Sequence, residues 1–268
     1  MNEFQQNGTP HIIAMAVTVL LPVILSASVR RTKSEMLTKG TCYLLAVVLI
    51  VNEITIWIYR IIDEGVQTFI QEGLPLEICS LAVFMTIFVL ITQNQYVYET
   101  AYLWGMAGTL QAIISPEITG GSIPHQPGFP HYLFFQYFIG HTGIVCGVLF
   151  ATWGLKLRPS RHSILRTFVI TNLYMVCILG VNVAFNYIFM NELRPAEGGS
   201  NYLFLCRKPD TNSVFLFLDW PYYLLFFEML GLAFFFILYA PFFISNIIRN
   251  RRGNNSMAES DLDQPIPD

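Results

Sequence analysis

Cys79 and His141 both lie in apolar stretches of the chain and carry the two side chains that acyl transfer through a thioester requires. An imidazole takes the proton from a thiol, and the thiolate then attacks an ester carbonyl. Cys79 ends the segment LPLEIC (residues 74–79), in which we expect Pro75 to occupy the first turn of a helix. A thiol in that turn is close to the positive end of the helix dipole, which favours the thiolate.

Both residues also have a simpler interpretation. A free cysteine is often a small buried hydrophobe, and a lone histidine inside a membrane often only donates a hydrogen bond to a backbone carbonyl. From the helical rise, Cys79 lies about 6 Å and His141 about 15 Å from the start of its own predicted helix. Helix tilt or a different helix start is therefore needed to bring the two side chains to one level.

The composition indicates an integral membrane protein. Of the 268 residues, 54% are hydrophobic and 12% are charged, whereas soluble domains have about 25% charged residues. A membrane-spanning helix needs about 20 mostly apolar residues. We predict an all-α polytopic membrane protein with a seven-transmembrane-helix bundle as one domain (1–252), followed by a disordered tail (253–268). The predicted spans are 11–29, 41–61, 75–92, 100–115, 131–155, 166–190 and 220–248.

The distribution of basic residues between the loops predicts the orientation. With the N-terminus outside, eleven of the 15 lysines and arginines fall on the inner side, as the positive-inside rule requires. We therefore expect an N-outside, C-inside protein of the cell membrane, in bacteria the cytoplasmic membrane. Residues 1–10 lack the basic region of a cleaved signal peptide. Nucleic-acid binding is excluded, because the net charge is −3 and basic residues do not cluster with aromatic ones.

Polar side chains within the predicted spans are functional hypotheses, because each is costly in a bilayer. With the predicted orientation, nearly all of them fall in the outer half of the membrane. Asparagines there could also only join neighbouring helices. Glu77 is two residues from Cys79 and does not share its helix face, so we expect it to pair with His141 or to close the entrance. The residues selected as substrate-binding or orienting are Glu53, Glu77, Asn182, Asn186 and Glu228.

Two loops on the predicted outer side are distinctive. Residues 116–130 are rich in proline and glycine, which predicts a segment ordered by turns. Residues 191–219 are apolar for a loop, which predicts a cap that folds back over the outer end of the bundle or lies in the membrane interface.

Five short segments resemble the YwaF family of bacterial integral membrane proteins, which is related to the transmembrane protein 164 acyltransferase family. They are LPLEIC (74–79), FIGH (138–141), NVAFN (182–186), GSNYLFL (199–205) and WPYY (220–223). The resemblance implies a phospholipid acyltransferase of the transacylase type with a membrane cysteine and histidine, roles that carry over to Cys79 and His141. Relatives often have histidine or glutamine where this chain has Glu77, so the resemblance implies no role for that residue.

The resulting hypothesis is a phospholipid acyltransferase or transacylase that uses neither CoA, another cofactor nor a metal, and whose partner is a membrane phospholipid or lysophospholipid. With water as acceptor, the same site would be a lipid hydrolase. The alternative is a transporter or receptor-like bundle with a polar, outward-facing pocket, and no protein partner is predicted. A retinal protein is excluded because the spans contain no lysine. Zinc is not expected, since His125, His131 and His141 are too widely spaced to share a helix face.

Overall fold

The computed structural model describes residues 3–116, 118, 126–195, 198–208 and 218–262, with side chains as far as residue 249. Within these ranges the protein is built from helices joined by short connections. The helices are α1 (Thr9–Thr32), α2 (Glu35–Asp63), α3 (Val66–Gly73, ending in a π-helical turn), α4 (Ile78–Thr92), α5 (Gln95–Ile114), α6 (Tyr132–Trp153), α7 (Ser163–Met190) and α8 (Tyr222–Leu262).

Several of these helices are long and apolar enough to cross a membrane. Within the described residues, α1, α2, α6, α7 and α8 meet this criterion, and α3 and α4 together form a sixth candidate, bent by 83°. The remaining long helix, α5, has 20 residues and is mostly buried, including Glu99 and Thr109. The all-α, multi-pass architecture is confirmed, whereas the seven crossings and the orientation of the termini stay predictions.

A tight turn makes α4 and α5 antiparallel neighbours at the centre of the bundle. α4 ends at Thr92, and Gln93 follows in the left-handed conformation with φ of 54°, a common way to stop a helix. The side chain of Asn94 then accepts the backbone N–H groups of Tyr96 and Val97 at 3.0 and 3.1 Å, which caps the start of α5.

Glycines allow α6 to pack closely against its neighbours. A Cβ added to Gly147 would lie 2.3 Å from the side chain of Thr86 on α4. A Cβ added to Gly105 on α5 would lie 2.8 Å from that of Ile144. Small residues let membrane helices approach at the backbone, so α4, α5 and α6 form one tightly packed group.

Hydrogen bonds attach α8 to the rest of the protein at several levels along the helix. Near its N-terminal end, the Tyr223 hydroxyl donates to the Phe204 carbonyl, and just before the helix Trp220 Nε1 donates to the Leu205 carbonyl at 3.0 Å. Further along, the Tyr102 hydroxyl on α5 donates to the Leu238 carbonyl at 3.2 Å. The segment of α8 between these attachments borders the cavity described below.

The structure differs from the predicted elements in several places. α4 begins at Ile78, so the prediction that Pro75 occupies its first turn is wrong, and α3 was not predicted at all. α8 continues as helix to Leu262; residues 263–268 lie outside the described part, and disorder of the tail stays a prediction. Residues 117 and 119–125 of the turn-rich segment 116–130, His125 among them, also lie outside the described residues.

Candidate functional site beside Cys79

A cavity of about 450 Å³ lies between α4, α5, α7, α8 and the loop 198–208, and it is partly open to its surroundings. Most of its wall is apolar, with Trp104, Phe168 and Phe235 among the larger side chains. The polar residues of the wall include Gln111 and three that the sequence analysis named, Glu77, Cys79 and Glu228. An apolar pocket with a few polar groups is the usual form of a small-molecule site.

Cys79 lies in the first turn of α4, although the helix starts later than predicted. Its sulfur lies against Gly108 of α5: a Cβ added to Gly108 would be 3.2 Å from Sγ, closer than normal contact. Glycine at position 108 therefore provides the room in which the thiol sits, between the cavity and the packed group of α4, α5 and α6.

His141 lies on α6, and its Nδ1 is 2.8 Å from the Tyr137 carbonyl oxygen one turn earlier. A carbonyl oxygen only accepts hydrogen bonds, so Nδ1 must carry the proton. The neutral ring then has its lone pair on Nε2, the nitrogen that can act as a base. The ring also stacks on Tyr137, with 4.1 Å between the centroids, which further restricts its orientation.

The contacts of α6 with α5 place His141 at the level of Cys79. The Tyr137 hydroxyl donates to the Ala112 carbonyl at 3.0 Å, and Ile144 contacts Gly105. His141 lies between Tyr137 and Ile144 on the same face of α6, just as Gly108 lies between Ala112 and Gly105 on α5. Both the Cys79 sulfur and the His141 ring are thus near the level of Gly108, which removes the depth difference estimated from the sequence.

The two side chains are not hydrogen-bonded to each other in the described structure, and His141 is not among the residues lining the cavity. Contact between nucleophile and base often tightens only when substrate is bound. A catalytic pair of Cys79 and His141 therefore remains a prediction that the helix packing permits.

Glu77 precedes α4 and connects it to the loop 198–208. The Leu203 backbone N–H donates to Glu77 Oε1 at 3.1 Å, and Leu203 and Phe204 form part of the cavity wall. Both loop residues have positive φ, 57° and 53°, which is unfavourable for side chains of this size. Two roles were expected for Glu77. The hydrogen bond from Leu203 favours the role at the cavity entrance, where Glu77 holds a segment of the wall, over pairing with His141.

Tyr202 joins the same loop to the connection between α3 and α4. Its hydroxyl donates to the Ile70 carbonyl and accepts the Leu74 N–H, both at 3.0 Å. Burial raises the pKa of Tyr202 to about 12, so the hydroxyl keeps the proton that it donates. The loop therefore packs back onto the bundle, as the cap interpretation of this segment predicted, within its described part.

Asn182 and Asn186 of α7 hold this loop rather than line the cavity. Asn182 accepts the Tyr202 N–H and donates to the Tyr202 carbonyl, both at 2.9 Å. Asn186 accepts the Ser200 N–H at 2.6 Å and donates to the Ser200 carbonyl at 2.9 Å. Because both amides are occupied by backbone groups, any orienting effect on a substrate passes through the loop.

The two remaining acidic candidates are in different places. Glu228 of α8 borders the cavity, and its Oε2 accepts a hydrogen bond from Asn172 Nδ2 of α7 at 3.1 Å. Glu53 is buried on α2 and does not belong to the cavity wall. The predicted polar cluster is therefore divided: Glu77, Cys79 and Glu228 line one cavity, whereas Glu53, His141 and the loop-binding asparagines lie outside its wall.

Two glycines of the cavity wall, Gly108 and Gly231, were not identified from the sequence. An added Cβ would crowd the thiol at Gly108, whereas at Gly231 it would meet no atom within 4 Å. The spacing of Gly105 and Gly108 is a weak signal of close helix packing. No sequence signal separates Gly231 from an ordinary lipid-facing glycine.

Comparison with known proteins identifies a family. No curated protein and no solved structure matches the chain. The relationship to YwaF proteins and a bacterial origin stay predictions. A family model for the TMEM164 family matches residues 6–239, which is most of the chain, and the protein therefore belongs to the TMEM164 family.

Proposed function

We propose that this protein is a membrane-embedded phospholipid acyltransferase in which Cys79 carries the acyl group as a thioester and His141 is the base. The observation that supports it most is the position of the Cys79 thiol, at a helix start and in the wall of a largely apolar cavity that also contains carboxylates and an amide. Membership of the TMEM164 family is compatible with a lipid-related membrane enzyme.

In the proposed reaction, His141 Nε2 takes the proton of Cys79, and the thiolate attacks an ester carbonyl of a phospholipid. The tetrahedral intermediate collapses with cleavage of the carbon–oxygen bond, and the lysophospholipid oxygen leaves with the proton from His141. The hydroxyl of a second lysophospholipid then attacks the thioester while His141 accepts its proton. Return of that proton to the sulfur restores the thiol, so atoms and charge balance without a cofactor or a metal.

The start of α4 is suited to stabilise the intermediate. The first N–H groups of a helix have no partner within the helix, and Cys79 is the second residue of α4. These donors can bind the negative oxygen of the tetrahedral intermediate, as in other acyl-transfer sites. In the proposed seven-span, N-outside topology this helix start faces the outer leaflet.

The test is acyl transfer by purified protein in liposomes that contain phospholipid and labelled lysophospholipid. We expect labelled diacyl lipid with the unchanged protein and with Cys177→Ala, a control at an exposed cysteine, but none with Cys79→Ala at equal abundance. Mass spectrometry should find a hydroxylamine-sensitive acyl group on Cys79. Labelled free fatty acid from a labelled phospholipid would indicate a hydrolase, and neither product with well-folded protein would contradict the proposal.

A binding bundle without catalysis is the alternative, and the carboxylates Glu77 and Glu228 in the cavity favour a cationic ligand for it. Its predicted pocket included Glu53 and His141, which do not line this cavity. A bundle of this kind would show ligand-dependent thermal stabilisation that persists in Cys79→Ala and is lost in Glu228→Gln.

A further inference from the structure

We infer that the acyl chain of a membrane lipid enters the cavity from the side, along the inward face of α8 at Gly231. The entrance is a property of the cavity itself, whereas the choice of an acyl chain as occupant rests on the proposed function. The test of the entrance therefore measures how fast thiol reagents reach Cys79, and not how fast acyl groups are transferred.

The first argument is how α8 is held. Tyr223 and Trp220 attach its N-terminal end to the loop 198–208, and Tyr102 bonds to Leu238 further along. The stretch Leu224 to Phe235, which rises about 16 Å, contributes much of the cavity wall, and at its far end Phe235 also packs in the core. Within it, the described cross-helix hydrogen bond is that of Asn172 with Glu228.

The second argument is the empty space at the middle of this stretch. Gly231 lies between Glu228 and Phe235 on one helix face, and all of them line the cavity. A side chain on this face would normally fill the gap to α5 and α7. Instead, a Cβ at Gly231 would have no neighbour within 4 Å, so the gap is open at this level of the bundle.

The third argument is the chemistry of the surroundings. Only 17% of the most apolar stretch of each of α7 and α8 is buried in the described structure, and residues at membrane depth that other helices do not cover face lipid tails. On the loop side, Leu203 and Phe204 form part of the wall. A flexible apolar chain from the adjacent bilayer fits such a gap, with its ester near Cys79 and the polar wall residues.

The experiment compares two thiol reagents on protein in liposomes, with labelling at each cysteine measured by mass spectrometry. Cys177, which is exposed on α7, serves as the internal reference for reagent in the membrane. We expect a membrane-soluble maleimide to label Cys79 several-fold faster than a charged, impermeant maleimide. Equal or faster labelling by the impermeant reagent would overturn the inference, because the entrance would then be aqueous.

Variants then test the position of the entrance. Gly231→Phe should slow labelling of Cys79 by the membrane-soluble reagent several-fold relative to Cys177, while Gly231→Ala changes little. Gly180→Phe is the matched control, since Gly180 also has open space but does not line the cavity. Unchanged labelling in folded Gly231→Phe would contradict the assignment, and the reagent comparison on unchanged protein decides the question if that variant does not fold.

The occupant is tested with a phosphatidylcholine that carries a photoreactive group in its acyl chain. We expect cross-links to cavity-lining residues of α8 near Gly231, reduced in Gly231→Phe and retained in Gly180→Phe. Cross-links confined to outward-facing residues such as Met229 would exclude an acyl chain as the occupant. A confirmed entrance without acyl transfer would retain this inference and reject the proposed function.

Discussion

Gly108 of α5 determines how much room the Cys79 thiol has. Glycine inside a helix costs roughly 0.5–1 kcal/mol relative to alanine, so glycine here requires a compensating reason. The sulfur provides one, because an added Cβ would be 3.2 Å away. A residue that weakens its helix but makes room for a reactive group is expected at a functional site.

We predict that Gly108→Ala lowers acyl transfer much more than stability. The gain in helix propensity opposes the cost of crowding, so the thermal midpoint should change little. A displacement of the sulfur by a few tenths of an ångström should reduce kcat by about tenfold, given that about 1 Å can cost about a hundredfold. Gly180→Ala, in open space on α7, is the control, and equal effects of the two changes on kcat would contradict the prediction.

At this scale the sequence predicted several polar residues that share the cavity wall, but not all their partners. Cys79, Glu77 and Glu228 do line one cavity. The sequence left open whether the amides of Asn182 and Asn186 orient a substrate or join neighbouring helices, and in the structure both bind the backbone of a loop. Their partners lie 20 and 14 residues along the chain, respectively, in a segment with no regular pattern, so hydrophobic periodicity could not reveal the pairing.

At the scale of elements, three separate parts of the chain hold the loop 198–208 in place. α7 holds it through two asparagines, the connection before α4 through Glu77 and Tyr202, and α8 through Tyr223. Such attachments maintain positive φ at Leu203 and Phe204, which otherwise costs about 1–3 kcal/mol at each residue. The loop is therefore a fixed wall of the cavity.

We predict that Asn186→Ala releases Ser200 before Tyr202. The variant leaves the Ser200 N–H and carbonyl without their buried partner, at a cost of about 1–3 kcal/mol for each unsatisfied group. Hydrogen exchange should accelerate most at the Ser200 amide, and Asn182→Ala should instead accelerate exchange at the Tyr202 amide. Equal acceleration at both amides in each variant would show that the two attachments do not act separately.

The helices could be predicted from the sequence where crossing a membrane requires a long apolar stretch. Long apolar stretches predicted α1, α2, α6 and α7 to within a few residues at most ends. α5 is longer at its start than predicted, Gln95 against residue 100, because Gln95 and Glu99 belong to a buried polar group at that end. α3 was missed because a short segment with a π-helical turn has no apolar period to detect.

At the scale of the whole molecule, an ion pair joins α5 and α7 at the end of the bundle opposite to the loop 198–208. Arg166 of α7 pairs with Glu99 of α5, and Glu99 also accepts hydrogen bonds from Gln95 and from the Ser160 N–H. Glu99 has a side-chain exposure of 2% and Arg166 of 34%. The carboxylate therefore depends on its partner, whereas the guanidinium can turn toward water.

We predict an asymmetric effect of breaking this pair. Arg166→Gln should destabilise the protein by about 3–5 kcal/mol, because it leaves a buried carboxylate unpaired. Glu99→Gln should cost less, and the double variant should be more stable than Arg166→Gln alone. Thermal unfolding of the three variants in detergent measures these differences, and equal losses in both single variants would contradict the assignment.

The position of α5 beside α4 bears on how many times the chain crosses the membrane. α4 and α5 are joined by a two-residue turn at Gln93 and Asn94, so α5 must run back through the bundle beside α4. Hydropathy alone omits α5, since a helix surrounded by other helices needs no continuous apolar surface. With α3 and α4 counted as one broken span and α5 as another, we predict seven crossings, and an odd number places the termini on opposite sides.

We accordingly predict that an impermeant thiol reagent labels Asn2→Cys in intact cells, but labels Asn254→Cys only after the membrane is permeabilised. The orientation follows from the excess of basic residues on the C-terminal side of the membrane. The unchanged protein, with its own cysteines, provides the background. Labelling of both positions from the same side would mean an even number of crossings. The start of α4, with Cys79, and the loop 198–208 would then have to be placed anew relative to the two leaflets.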